Sequence, residues 1–528
     1  MTEWLPPEHP VFFVIEVIKD LAPDLKAFHR RKALGGSGRA MYDPMMLVTL
    51  LVYASWQGVR SSRQIESRCH TDVAFRIICA QDPPDHTTIS RFRKVTAAAF
   101  TDLFAEVLLL CAREGMGRFG KVAIDGTKIA ANASASANTT LARLRTVARA
   151  EVEAGLAADA DAGSDVDAPP PPGLRDRSGR RQRLARVRAE LEVEQAELDR
   201  AAAQREQAAA EYTAAIAGGA ARPGQRPART DAVEVAKARY EAARARQQAA
   251  IDAYQQERDR PLTERTRTHL GTPPKPVEEA APVRRARRNL KQAQAATTPA
   301  DPSAPTPSLD TTAPTGSQPA AEPVTPKQAK RNLTDPDSRL MPTKDGWIQG
   351  YNAQAAVTED HLIVGVGLTN NPADTTQAIP MMQAAQATAE AIAADTGRDD
   401  TTIGTALFDA GYNSHDNLTA PGPDRLIATG KRRDQERDAA TNPTTGPPPE
   451  HATPRQVMQH RLRTPEGIRT YRKRGAIVEP VFGHLKDITK LRRFLTRGIT
   501  SATGELHLAA ATLNLFRLYN TMTKAATA

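Results

Sequence analysis

Three acidic residues stand among apolar neighbours, where an acid is costly. In KVAIDGTKIAA the run Lys121 to Ile124 reads as a short buried strand, with Asp125 at its end before a Gly-Thr turn. An ionised carboxylate there must be ion-paired, hydrogen-bonded or bound to metal. Asp-Gly is also a common turn dipeptide, so Asp125 alone supports a plain turn equally well. A second instance shifts the balance. In TALFDAGYNS the run Ala406 to Phe408 ends at Asp409, again before a small residue and Gly411. Adjacent parallel strands would bring the two carboxylates together across most of the chain's length, and two strand-end aspartates suggest one metal site. Glu479 supplies a third acid in YRKRGAIVEPVFGHLKDITKLRRF, with Tyr471 and Arg474 before it and Lys486 after it. Glu479 and Lys486 share a face if their helix is continuous. Pro480 would cost roughly 3 kcal/mol inside a helix but is accepted in a first turn, so the helix is expected to start near Ala476 to Val478. Val478, Val481, Phe482 and Leu485 then form its apolar stripe. Two other acids of the region, Glu466 in a turn and Glu505 at the start of the last helix, lack these surroundings.

The order Asp, Asp, Glu, with a Lys two turns after the Glu, resembles the DDE transposases of bacterial insertion sequences. KVAIDGTKI, ALFDAGY and the Tyr-x-x-Arg…Glu-x6-Lys series are similar to that family's three catalytic blocks. Four residues separate Arg474 from Glu479 here, whereas the usual Tyr-Arg-Glu-Lys signature has three. The resemblance implies an RNase-H-like α/β core, a mixed sheet flanked by helices, with the Asp125 and Asp409 strands as neighbours. It also implies cleavage and joining of DNA at Mg²⁺, with Mn²⁺ able to substitute. In-line attack on phosphorus is served by two such ions, which prefer hard oxygen ligands and leave His and Cys unnecessary. Asp125 would bridge the ions, Asp409 and Glu479 would each hold one, and Tyr471, Arg474 and Lys486 would lie against DNA. The implied partners are the terminal inverted repeats of an element and a target DNA, bound by a homodimer. An RNase-H-like nuclease without strand transfer, or an inactive DNA-binding derivative, would share much of this sequence.

Charge agrees with an anionic partner. The 528 residues carry a net +10, and between Lys431 and Arg474 eleven Lys/Arg stand against five acids, leading directly into the third acid. Cys69, Cys79 and Cys111 form no CxxC pair, which suits reduced structural thiols of a cytoplasmic, nucleoid-associated protein. VFFVIEVI is too short for a membrane span and contains Glu16, so it reads as a core helix with no signal peptide or membrane partner implied.

Residues 1–118 read as an all-α N-terminal domain, its first helix running from Pro10 to about Lys26. PPDHTTISRFRK opens a helix capped by Thr87 or Thr88, with Arg91, Arg93 and Lys94 in its first turns. A basic helix after a polar turn is either a major-groove reader or a solvated face, and the family likeness of HTTISRFR favours DNA contact. Residues 119–136 hold the first core strand. From 137 to 330 the chain turns Ala-, Arg- and Pro-rich, a helical and disordered insertion after that strand. APPPPG near 170 and the Pro/Thr/Ser run from about 298 to 326 read as linkers. Leu184, Val187, Leu191 and Leu198 repeat at heptad-like spacing before a second Ala-rich helix from about Asp231 to Glu257. That pair is either a coiled-coil hairpin completed by a partner or DNA, or a helical spacer. Residues 331–528 supply the rest of the core: strands at DGWIQGYNAQAAV, HLIVGVGLT, TALF and DRLIATG, a helix opened by Asp374, and a closing helix at GELHLAAATLNLFRLYN. Asp337 and Asn352 lie in stretches that resemble the family; they read as a turn Asp and a strand Asn, or as supports of the metal ligands.

Overall fold

The computed structural model describes residues 2–29, 41–144, 177–297 and 328–527, apart from short gaps within 221–229 and 262–269. The linkers expected near 170 and from 298 to 326 lie outside the described residues. Six helices open the chain: α1 (Pro10–Leu21), α2 (Pro44–Trp56), α3 (Ser62–Thr71), α4 (Val73–Ile78), α5 (His86–Val95) and α6 (Phe100–Arg113). The first stops short of Lys26: Ala22 still has helical backbone, but Pro23 has no N–H with which to continue the ladder. Asp43 caps α2 by accepting from the Met45 amide, Pro44 takes the first turn, and nearly every residue that follows is buried. The α5 cap is Asp85, not Thr87 or Thr88: its carboxylate accepts from the Thr88 amide at 2.9 Å and from both threonine hydroxyls.

The remaining elements run β1 (Lys121–Ala130), β2 (Asn138–Thr139), α7 (Arg177–Ala217), α8 (Ala232–Asp259), α9 (Ala281–Thr297), β3 (Arg331–Asn332), β4 (Arg339–Thr343), β5 (Gly346–Thr358), β6 (Ile363–Thr369), α10 (Ala378–Thr396), β7 (Thr405–Phe408), α11 (His415–Thr419), β8 (Asp424–Ile427), α12 (Arg432–Thr441), α13 (Pro454–Arg463), α14 (Pro465–Asp487) and α15 (Ile499–Thr527). One mixed sheet carries six of the strands. Its path is β4-β5-β1-β7-β8, with β6 on the same edge of β5 as β4. β5 and β6 run antiparallel in the β1 half, while β7 and β8 run parallel to β1 and to each other. Helices cover both faces, the RNase-H-like arrangement: α10 packs on β5 and β6, and α14 on β1, β5 and β7. α15 starts at Ile499, earlier than expected, and lies between the sheet and helices α2 and α6, so helices and sheet form one compact unit.

β1 is longer than its sequence suggested. Gly126 and Thr127 make no turn, because β5 pairs with β1 antiparallel from Val122 to Ala130 and carries it through. Only Lys121 to Ile124 also pair with β7. Asp125 is therefore the first residue past the end of the parallel ladder, in mid-strand.

Residues Glu190–Ala329 form a second compact unit. α7 and α8 are present, and Tyr212 and Ile216 at the end of α7 pack on Val235 and Ala238 at the start of α8. A third helix, α9, which the two-helix reading missed, lies along α8. Val187 and Leu191 are fully buried, Leu184 and Leu198 half-buried. The insertion leaves and rejoins the core at the two-residue β2–β3 ladder, Asn138 opposite Asn332 and Thr139 opposite Arg331. Excision should therefore spare the ladder. A chain with Thr139 joined to Arg331 by a short Gly/Ser loop loses the Arg183 bonds to the Leu333 and Thr334 carbonyls, about 2–3 kcal/mol. A single cooperative thermal transition is expected; an insoluble or non-cooperative product would show that the insertion holds the core together.

Candidate active site

Parallel register sets the first two acids side by side. Ile124 pairs with Phe408, so Asp125 and Asp409 are the next residues of neighbouring strands. Asp409 is turned by its own local bond, its carboxylate accepting from the Gly411 amide at 2.8 Å. Asp125 Oδ1 accepts from the Gly126 amide at 2.9 Å, and Oδ2 meets the Arg474 guanidinium at 2.7 Å. Burial pushes the Asp125 carboxyl up to about 6; Arg474 opposes this, while the charges of Asp409 and Asp374 add to it.

α14 lies across this strand end as one helix from Pro465 to Asp487, with Pro480 in its interior. The start expected near Ala476 is corrected. Pro480 leaves the Ala476 carbonyl without its helical donor, but both residues are exposed, where water can replace it. Its cost of roughly 3 kcal/mol is small against burial of Ile477, Val478, Val481, Phe482 and Leu485, each about 1.5–3 kcal/mol. Continuity puts Tyr471, Arg474, Glu479 and Lys486 on a single rod. Three of them tie it to the sheet: Tyr471 donates to the Phe408 carbonyl at 3.2 Å, Arg474 pairs with Asp125, and Lys486 donates to Thr127 Oγ1 at 2.6 Å. Burial pushes the Tyr471 hydroxyl up to about 12, and burial beside Arg492 and Lys344 lowers the Lys486 ammonium. Glu479 is exposed, its carboxylate folded back over Gly475, where an added Cβ would lie 3.0 Å from Oε1. It shares a cleft of about 430 Å³ with Asp409, Lys431, Arg432, Arg472 and Arg474.

Asp374 is a further acid at the site. It stands, as expected, where a helix opens, just before the 3-10 turn Thr375–Gln377 that leads into α10, but its carboxylate makes no capping hydrogen bond there. Its Oδ1 accepts from Asn352 at 2.6 Å, Gln354 at 2.9 Å and Lys128 at 3.2 Å. Gly126 makes room for this group: a Cβ there would stand 2.3 Å from Gln354 Nε2 and 2.8 Å from Asp374 Oδ1. Gln354 also accepts from the Tyr412 hydroxyl, which joins the cluster to the turn after Asp409. Asn352 thus faces the site. Asp337 does not: it accepts from the Ile499 amide at the start of α15. Asp335, buried beside it and pushed up to about 6 by that burial, accepts from Tyr351 and from the Gly498 amide.

Among the DNA-contact candidates of α5, Arg91 and Lys94 are exposed, but Arg93 is buried and donates to the Arg60 carbonyl at 2.8 Å. Arg93 is corrected from surface contact to internal brace. Arg60 in turn pairs with buried Glu505 at 2.6 Å. Glu505 also accepts from the amides of Leu495 and Thr496, which accounts for its burial without any part in the site.

The donors suit a hard divalent cation in kind. Asp125 is half-buried with like charges beside it, and carboxylate oxygens are what Mg²⁺ takes. Among the described residues, however, no three His, Cys, Asp or Glu lie near enough together to hold an ion as they stand; Arg474 meets the Asp125 charge instead. Among the described residues, the cations that open onto the cleft without a carboxylate partner are Lys431 and Arg472, while Arg432 pairs with Glu436.

Among the described residues no single helix is long and apolar enough to cross a membrane. No curated protein and no solved structure matches the chain. Two family models do: a Transposase domain (DUF772) over residues 1–95 and a Transposase DDE domain over residues 312–515. The second span includes Asp409 and Glu479, and Asp125 lies between the two. With one transposase domain in its opening helices and a transposase DDE domain in its sheet, the chain is a DDE transposase of an insertion element, a DNA transposase by function.

Proposed function

We propose that this transposase cuts and rejoins the ends of its element at a site made by Asp125, Asp409 and Glu479, with Mg²⁺ as the ion and Mn²⁺ as its substitute. The observation that carries this is the register of β1 and β7, which sets two aspartates side by side beneath a helix bearing Glu479. The three carboxylates would hold the cation, which when bound supplies a nucleophile near neutral pH and offsets charge on the leaving oxygen. Arg474 keeps Asp125 ionised just past the parallel ladder until that charge is met otherwise. Tyr471 and Lys486 fix the pitch of α14 over the sheet, so that Glu479 faces the cleft. Lys431 and Arg472 take the phosphates that enter it. Arg91 and Lys94 of α5 meet the duplex of the element end, and a homodimer brings two ends and a target DNA together in the bacterial cytoplasm, at the nucleoid.

The assignment of the third ligand is tested within one helix. Glu479→Gln should lower Mg²⁺-dependent cleavage by about a hundredfold or more, the scale of losing one electrostatic contributor to a transition state. Glu466→Gln, exposed in the first turn of α14, should stay within about twofold, since an exposed change of this kind alters little. The reverse order of activities would remove Glu479 from the site.

A further inference from the structure

Among the described helices of the insertion unit, α9 alone carries charge of a single sign. Over Ala281–Thr297 it carries Arg284, Arg285, Arg287, Arg288 and Lys291 and no acid. α8, against which it packs, balances five Lys/Arg with five Asp/Glu. Val283, Ala286, Leu290 and Ala293 are buried or half-buried and follow one helical stripe, while all five cations are exposed on the opposite arc. Arg287 is partly neutralised by Glu278 at 3.8 Å, which also pairs with Arg244. Arg284, Arg285, Arg288 and Lys291 have no acidic partner among the described residues.

Four unpaired cations on one face of a packed helix repel one another and are relieved by a polyanion of matching pitch. Arg284, Arg288 and Lys291 lie along a single line, and at 1.5 Å per residue that line is about 10 Å long. One strand of duplex DNA presents a phosphate every 3.4 Å of axis, so the line faces about three phosphates. We infer that the exposed face of α9 is a second DNA-binding surface, one that grips the duplex backbone without regard to sequence. Its residues are other than those of the acidic site, and it needs no metal.

The test uses the full chain and a duplex of arbitrary sequence in EDTA, with affinity followed by fluorescence anisotropy across a salt series. The variant Arg284→Gln/Arg285→Gln/Arg288→Gln/Lys291→Gln should flatten the slope of log K against log salt by about 3, since each phosphate contact contributes about 0.9. Substituting Lys at the three arginines should preserve the slope. Arg200→Gln/Arg205→Gln, on the exposed part of α7, should leave it unchanged. An unaltered slope in the Gln variant would overturn the inference and point to an acidic protein surface as the partner of α9. An equal loss in the Lys variant or in the α7 variant would overturn it as well, because either would trace the effect to something other than charge on this face.

Discussion

Asp125→Asn and Asp409→Asn are each expected to lower divalent-cation-dependent DNA cleavage by about a thousandfold or more, ~4 kcal/mol of transition-state stabilisation. The amide keeps the shape of the side chain and removes the charge that a cation needs. Binding of end DNA in EDTA should be nearly unchanged, because the cations of the cleft and of α5 are untouched. Stability should change little too. In Asp125→Asn the new amide would leave Arg474 a polar partner while relieving the repulsion between neighbouring carboxylates that Asp409 and Asp374 impose on position 125. Gel assays of cleavage beside anisotropy and melting curves separate these effects. Near-normal cleavage by either variant would take that aspartate out of the metal site.

A second large effect lies far from the chemistry. Glu505→Ala should destabilise the core by about 3–5 kcal/mol, because it strands a guanidinium in the interior. Arg60 would keep only the Lys490 and Arg493 carbonyls as acceptors, and the Leu495 and Thr496 amides would lose theirs. The Arg93 bond to the Arg60 carbonyl would loosen with it, and α5 is braced through that bond. Replacing both charges, Arg60→Met with Glu505→Leu, should recover much of the loss, as apolar substitutes for buried pairs often do. Equal melting temperatures for wild type and Glu505→Ala would contradict this reading of the pair.

The parts of the fold visible in sequence were those with local causes. Apolar runs ending in Asp marked β1 and β7, the Thr358–Asp360 turn marked the hairpin of β5 and β6, and Val478, Val481, Phe482 and Leu485 marked the buried stripe of α14. What escaped depended on distant partners. β1 continues past Asp125 because β5 supplies its ladder from more than two hundred residues away. Asp374 was legible as the residue that opens a helix but not as a member of the site, since nothing near it in sequence announces Lys128, Asn352 and Gln354 as its donors. Spacing could not tell Arg91 and Lys94 from Arg93, whose burial follows from the carbonyl of Arg60. Pro480 misled for a different reason: its local penalty is real, but five buried apolar side chains outweigh it. α9 was missed although its signal is local, since Val283, Ala286, Leu290 and Ala293 already repeat at helical spacing in a segment whose composition reads only as Ala- and Arg-rich.

The most direct test of the site and its chemistry is a strand-joining assay. The purified chain is incubated with labelled DNA bearing the ends of its element and a circular target, with Mg²⁺ or EDTA, and the products are resolved on a denaturing gel and sequenced. The proposed reaction predicts element ends covalently joined to target strands with Mg²⁺, none in EDTA, and none from Asp125→Asn. Cut ends without joined product would instead mark a nuclease that stops at hydrolysis, and joined product from Asp125→Asn would contradict the site itself.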